Sequence, residues 1–416
     1  MAGGNSLNQF TEFVNLTGPT ILTSATDVVN DAQKTNYKTL GYMLRGQGMD
    51  RTIRGGQTIR DIIYLDATRR SRSYKPNQTQ TVANVQTGHV IDIDWRFYIT
   101  EVVWTAEEIL LNGGGSDLSA EARFHKFKDL WWRKKQQCYT DAMDHMEELL
   151  WAPPNEAEME TNTGQEMFSI PCFIHENSLV DEDGTAVTPG QLNLAGLPFD
   201  PDGVVWAGTT VAGIAPTAAN NALKWRNVVY QYGGSSTTVP AGFVVGNVNN
   251  VLVFLDRAYN ATDFQPPPMF KEYFESPQKQ QSPMPFIACS NDGYVRLVSL
   301  YRESQDRWVD LSDPFRKPTY GGAPIVYVAQ LDTAAIYDTG TALSHEQDAD
   351  INGPRFYGIQ PQYLSPIFHT DRYFESLGVL TDRDQPTTHV MPVNTYTNLF
   401  PRSRRRHFLL TPEVAH

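Results

Sequence analysis

One helical face carries the residues best spaced for chemistry. Asp141, His145 and Glu148 fall at i, i+4 and i+7, which puts a carboxylate, an imidazole and a second carboxylate on one side of a helix. Such sets hold metal ions when a second helix supplies matching ligands. No second helix in the sequence offers a matching Glu-x-x-His, so the set reads instead as a solvated acidic face. Gly113-Gly114-Gly115 could cradle a phosphate, but no Lys-Ser/Thr follows and no dinucleotide fingerprint surrounds it, so the run reads as a hinge. There is no G-x-S-x-G, no H-E-x-x-H and no P-loop, and His89, His125, His369 and His389 are scattered. The sequence therefore names no catalytic residue, no cofactor site and no metal site.

Charge is the stronger signal. Along 119–151, Arg123, Lys126, Lys128, Arg133, Lys134 and Lys135 occupy the first half, and Asp141, Asp144, Glu147 and Glu148 the second. That order opposes the helix dipole, which favours acids first and bases last. Two readings stay open: a solvated surface that tolerates the small penalty, or two halves that each face an oppositely charged partner. A second basic cluster comprises Arg51, Arg54, Arg60, Arg69, Arg70, Arg72 and Lys75, against only Asp61 and Asp66. A third, Arg402, Arg404, Arg405 and Arg406, is a candidate phosphate contact, although such short runs are more often solvated or subunit-contacting faces.

These clusters sit on recognisable elements. Residues 119–151 contain no Gly or Pro, with Ser119 placed as N-cap and Pro153-Pro154 as the stop. Phe127, Leu130, Trp131, Lys134, Cys138, Ala142, Met146 and Leu149 trace one face. At ~1.5 Å per residue the helix is a rod of roughly 50 Å, a spine rather than a packing helix. Before it, Ile91, Ile93, Trp95, Phe97 and Ile99 alternate with polar residues as a half-buried strand, and Thr58–Asp66 is its expected hairpin partner. The long polar tip between them is basic and nearly without apolar residues, so the hairpin needs a second surface. Glu101–Leu111 is expected to be a short helix. Residues 1–50 read as an arm without a core, with one helix candidate at Ser24–Gln33.

Further on, 155–221 is rich in turn residues, ending in a strand-turn segment at 204–216. Val248, Val251, Leu252, Leu255 and Tyr259 have helical spacing, and Phe286–Cys289 reads as a buried strand. Ser290 or Asn291 then caps a helix with Val295, Val298 and Tyr301 on one face. Tyr320–Leu331 and Arg355–Gln360 are strand candidates, so 205–365 alternates as an α/β or α+β domain does. The last 50 residues return to extended structure.

Composition narrows the function classes. A chain of 416 residues has length for two or three domains. Its net charge of −13 and pI near 5.2 oppose a protein that coats nucleic acid, which needs a basic face. The first residues, MAGGNSLNQF, lack a signal-peptide pattern, and no run approaches the length of a membrane span. Cys138, Cys172 and Cys289 are far apart without a CxxC pair. They suggest a reducing compartment and buried or unreactive thiols.

The order of parts (arm, long basic hairpin, spine helix, mixed domain, extended return) resembles the plan of tailed-phage major capsid proteins with the Hong Kong 97-like fold. VVWAGTTVAGI followed by WRNVVY, FIACSNDGYVRLVSLYRES, YGGAPIVYVAQLD and GPRFYGIQPQYL are similar to phrases of such proteins. None is a catalytic signature; the resemblance is cumulative. It implies an α+β chain with an N-terminal arm at 1–50 and an extended loop at 51–105. A peripheral domain would follow at 106–204, an axial domain at 205–365, and a return to the peripheral domain at 366–416.

Functionally, the resemblance implies a non-enzymatic shell protein. Its hexamers and pentamers would enclose double-stranded DNA inside a virion capsid assembled in the bacterial host's cytoplasm. Partners would be other copies of the chain, a separate scaffolding protein, a portal and the packaged DNA, with no membrane. Because family hairpins lie across a neighbour near its spine, Arg69, Arg70, Arg72 and Lys75 are expected to face Asp141, Asp144, Glu147 and Glu148 of an adjacent copy. Arg402, Arg404, Arg405 and Arg406 are the expected DNA-facing group. Lys75 is the one lysine in the hairpin tip, but no partner asparagine or activating glutamate marks it for crosslinking. An encapsulin-like compartment is the alternative within the same fold. A hydrolase with a site assembled from distant residues and a nucleic-acid-binding regulator are the alternatives outside it.

Overall fold

A computed structural model describes residues 38–44, 52–65, 88–108, 120–154, 165–176, 192–195, 210–216, 224–232, 250–262, 264, 285–303, 319–333, 354–381 and 387–412. The first elements are α1 (Lys38–Leu44), β1 (Thr52–Ile53), β2 (Thr58–Tyr64), β3 (Gly88–Asp94), β4 (Arg96–Thr105) and the long helix α2 (Ala120–Leu150). Then come α3 (Ile170–Phe173), β5 (Asn193–Ala195), β6 (Asn227–Tyr232), α4 (Val251–Ala261), β7 (Phe286–Cys289) and α5 (Asn291–Glu303). The series continues with β8 (Thr319–Tyr320), β9 (Ala323–Tyr327), α6 (Gln330–Thr333), β10 (Phe356–Ile359) and β11 (Leu364–His369). It closes with β12 (Glu375–Ser376), β13 (Leu380–Thr381), β14 (Thr388–Pro401) and β15 (Phe408–Pro412). Helices and strands are mixed along the chain, as expected.

Two compact units divide it: one holds Tyr98–His145 and Arg372–Thr395, the other Tyr37–Phe97, Met146–Asp371 and Tyr396–His416. The larger unit is built on a seven-stranded mixed sheet in the order β5-β6-β15-β10-β7-β9-β8. Alternate residues of its strands, among them Val228, Tyr230, Ile287, Ile325, Phe356, Phe408 and Leu410, join Val251, Phe254, Leu255 and Ala258 of α4 and Leu297 and Leu300 of α5 in one core. On the opposite residues of the same strands, Tyr42 of α1 stacks on Phe286 and Trp151 meets the edge of Tyr357. Strands covered on both faces lose the polar alternation, which is why Phe286–Cys289 and Phe408–Pro412 are buried throughout.

In the same unit, β11 pairs parallel with β1 and antiparallel with the C-terminal part of β14. Asn398 pins this region. Its side chain accepts from Phe168 N at 2.9 Å and donates to Asp94 O at 2.8 Å. In the smaller unit the N-terminal part of β14 pairs antiparallel with β12 and β13, and β4 also pairs with β14. Its core joins Val102, Trp104, Met391 and Val393 to Cys138 of α2, with Trp131, Tyr139 and Phe374 packed around them.

The long helix matches its expected span and face: Cys138, Ala142, Met146 and Leu149 are buried. Ser119, the expected cap, lies outside the described residues, as does Ser24–Gln33. Several expectations are corrected. The alternation through Ile91 and Ile93 changes phase at Trp95 and Arg96, both buried, so Phe97 and Ile99 point outward, at 65% and 60% exposure, while Val102 and Trp104 point in. Glu101–Leu111 is not a helix from its start. β4 runs to Thr105, whose hydroxyl accepts from Glu108 N at 3.2 Å while Glu108 accepts from Thr105 N at 3.3 Å, a capping box for the turn that follows.

Tyr320–Leu331 is a hairpin rather than one strand, turned at Gly321 and Gly322 with φ of 54° and 86°. In α5 the inward face is Gly293, Leu297 and Leu300, because Gly293 fits tightly against Pro354 and Phe356; Val295 is exposed. The arm is not coreless, since Thr39, Leu40 and Met43 of α1 are buried. The C-terminal return at 366–416 is not one piece: β15 lies inside the seven-stranded sheet, between β6 and β10.

Gly358 fixes one pair in that sheet. It lies opposite Phe408, and a Cβ there would stand 2.2 Å from the Phe408 ring. Gly358→Ala is expected to cost ~1–3 kcal/mol or more through overpacking, read as a lowered denaturation midpoint; an unchanged midpoint would mean that the ring moves aside freely.

Candidate functional site

The candidate contact surface starts from the hairpin. β2 and β3 pair antiparallel from Thr58↔Asp94 to Tyr64↔Gly88 and form a two-stranded sheet of their own. Ile59, Ile63, Ile91 and Ile93 share the inner face and are buried. Asp92 N donates to Ala212 O at 3.4 Å, tying β3 to the Val211–Ile214 turn of the same unit. The outer face carries Arg60 opposite Asp92 and Ile62 opposite Val90. Arg60 Nη2 lies 2.5 Å from the Asp92 carboxylate. This hydrogen bond holds Asp92 below its usual range and raises Arg60. Beside the pair, Ile62, Tyr64 and Val90 are 59%, 75% and 51% exposed. An apolar patch therefore lies on the exposed side of the ribbon. Arg69, Arg70, Arg72 and Lys75, expected at the tip, lie outside the described residues.

On α2, Asp141 and Glu148 are exposed and Asp144 is half-buried. His145, also exposed, meets the edge of Tyr98 at 6.4 Å between centroids. Among the described residues no three His, Cys, Asp or Glu side chains are grouped to hold a metal. Glu147 corrects the expectation placed on it. It is fully buried, and its two oxygens accept from Thr39 N at 2.8 Å and Leu40 N at 2.6 Å of its own chain. The buried face widens at the helix end, where Met146, Glu147, Leu149, Leu150 and Trp151 all lie inside, so Glu147 cannot meet a neighbouring copy. Lys134, counted among the bases, ion-pairs with Glu108 at 2.5 Å and donates to Val103 O at 3.0 Å.

The C-terminal cluster divides in the same way. Arg402 and Arg405 are half-buried, and Arg406 lies over the Tyr363 ring at 5.6 Å and donates to Thr262 O at 3.4 Å. Arg404 is a correction: its side chain is fully buried and cannot face DNA. It donates to Phe173 O at 3.0 Å, Trp225 O at 3.2 Å and Asn227 Oδ1 at 3.3 Å, and touches His175 Nε2 at 2.7 Å. Burial pushes its pKa down to about 9. Burial, with Arg404 nearby, pushes His407 down to about 3. Nothing local in RSRRR distinguishes Arg404 from its neighbours; only the paths of α3 and β6 do. The three cysteines form no disulfide and are buried.

No family model matches the chain, and no curated protein matches it. The solved structures it resembles include phage capsids. The capsid asymmetric unit of cyanophage A-1(L) is 13% identical with a TM-score of 0.49, covering 96% of this chain and 99% of that one. A structure of Gordonia phage Cozz is 10% identical with a TM-score of 0.39, covering 92% and 87%. The capsid of a native GTA particle is 9% identical with a TM-score of 0.42, covering 91% and 99%.

The division of the arginine cluster is testable. Arg404→Gln is expected to lower stability by ~2–4 kcal/mol, because it leaves buried carbonyls without their donor. Arg402→Gln and Arg405→Gln should each stay within about 0.5 kcal/mol. Denaturant titration of the three variants checks the contrast; equal effects would remove Arg404 from its central place.

Proposed function

We propose that this chain is a structural shell protein, the major capsid protein of a tailed phage, and not an enzyme. Its copies would form hexamers and pentamers of an icosahedral shell around double-stranded DNA, with a separate scaffolding protein and a portal as partners. Assembly would take place in the cytoplasm of the bacterial host, and the finished chain would reside in the virion capsid. The supporting observation is the β2–β3 ribbon. One of its faces is buried, while Ile62, Tyr64 and Val90 stand open on the other. A two-stranded ribbon with an apolar outer face is marginal alone and gains from a second protein surface. Another copy of the same chain supplies that surface in a shell.

Electrostatics would then fix register. Arg69, Arg70, Arg72 and Lys75 would face Asp141, Asp144 and Glu148 of an adjacent copy, with Glu147 removed from the set. Each exposed pair would contribute only ~0.2–1 kcal/mol, so the effect depends on repetition around each capsomer and weakens with salt. DNA contact would be non-specific and confined to the inner surface, because a net charge of −13 repels phosphate elsewhere. Arg402, Arg405 and Arg406 remain the candidates for it.

Charge reversal tests the reading. Changing Arg69, Arg70 and Arg72 to Glu should reduce the assembled fraction in sedimentation. Adding Asp141→Lys, Asp144→Lys and Glu148→Lys in the same chain should restore part of it. If the combined variant assembles no better than either parent, the ribbon does not pair with the acidic half of α2.

A further inference from the structure

The buried carboxylate of Glu147 has no part in the contact surface, yet it holds the first described segment of the chain. α1 meets the end of α2 through three hydrogen bonds. Glu147 accepts from Thr39 N and Leu40 N, and Trp151 Nε1 donates to Thr39 Oγ1 at 3.0 Å. Leu40 and Met43 are buried beside them, and Tyr42 stacks on Phe286 at 5.2 Å.

We propose that Glu147 is a proton-linked clasp: protonating this one carboxyl tightens the docking of α1 onto the end of the long helix, and ionising it loosens that docking. The two states are both accommodated by the Thr39 hydroxyl, which can donate to the carboxylate or accept from the neutral acid. Two opposed effects set the balance. The Thr39 hydroxyl, the two backbone N–H groups and Trp151 favour the ionised form, but complete burial outweighs them and pushes the pKa from 4.5 up to about 7.

Among the described residues, no charged side chain enters this balance. On α1, Lys38 places its amine over the Tyr327 ring of β9 at 4.5 Å, and Tyr327 itself donates to Asp332. β10 presents Tyr357 edge-on to Trp151, and on β11 the two ring nitrogens of His369 lie against Gly55 N and Asp371 N. On α2 itself, His145 and Glu148 are exposed and Asp144 is half-buried. With the docked value raised above the free one, docking is tightest below the ordinary 4.5, weakens as pH rises toward about 7, and levels off above it.

This inference does not depend on the shell reading, because α1 and the end of α2 belong to one unit of one copy. Hydrogen exchange of the full chain tests it, with amide protection at 38–44 corrected for the intrinsic pH dependence. Protection should fall roughly 50- to 100-fold between about pH 5 and about pH 8. Glu147→Gln should abolish that change while amides of β7 and β10 behave as before. Where Glu147→Gln does not fold, Thr39→Val carries the test. It removes a group that favours the ionised form, so the transition should move to higher pH. Equal protection at both pH values, stronger protection at the higher one, persistence of the change in Glu147→Gln, or an unmoved transition in Thr39→Val would each overturn the proposal.

Discussion

A helix of 31 residues cannot be covered along its length by one small core. Here Cys138, just past its middle, is buried with Val102, Trp104, Met391 and Val393 in one compact unit, and Leu150 and Trp151 at its end are buried in the other. Much of the remaining path answers to this constraint. β4 and β14 also pass from one unit to the other, and the chain comes back twice to the larger unit, the second time to place β15 in its sheet. The last strand, β15, closes between β6 and β10, so residues near the C-terminus complete a core begun near Asn227.

Single buried polar side chains fasten these returns. Asn398 joins β14 to the base of β3 and to Phe168; Arg404 gathers carbonyls from α3 and the start of β6; Glu147 receives α1. Each is costly to bury without partners, and each has several. The loss of any one leaves the groups it satisfied stranded rather than merely weakening a contact. These pins make the path of the chain specific where apolar packing alone would tolerate alternatives.

What the sequence revealed follows from how local the determining physics is. The face of α2 and the strand at Ile91 and Ile93 were legible because periodicity is a property of neighbouring residues. The helical spacing of Val251, Leu252 and Leu255 is equally local. The phase change at Trp95 and Arg96 was not legible, because an unbroken alternation continues through it in sequence while the chain switches partner from β2 to β14. Glu147 and Arg404 were read as surface charge because their types match the exposed residues beside them. Only non-local packing selects them for burial. The apolar outer face of the ribbon shared this difficulty, since Ile62 and Val90 fall on what a simple alternation assigns to solvent.

A ribbon apolar on both faces, anchored on one, leaves the isolated chain with surface that an assembly would cover. That is the central claim, and particle formation is its most direct measure. Negative-stain electron microscopy of the purified full chain, alone and with a candidate scaffolding protein, should show rings, capsomers or closed shells. A monomer that persists under every condition would contradict the account.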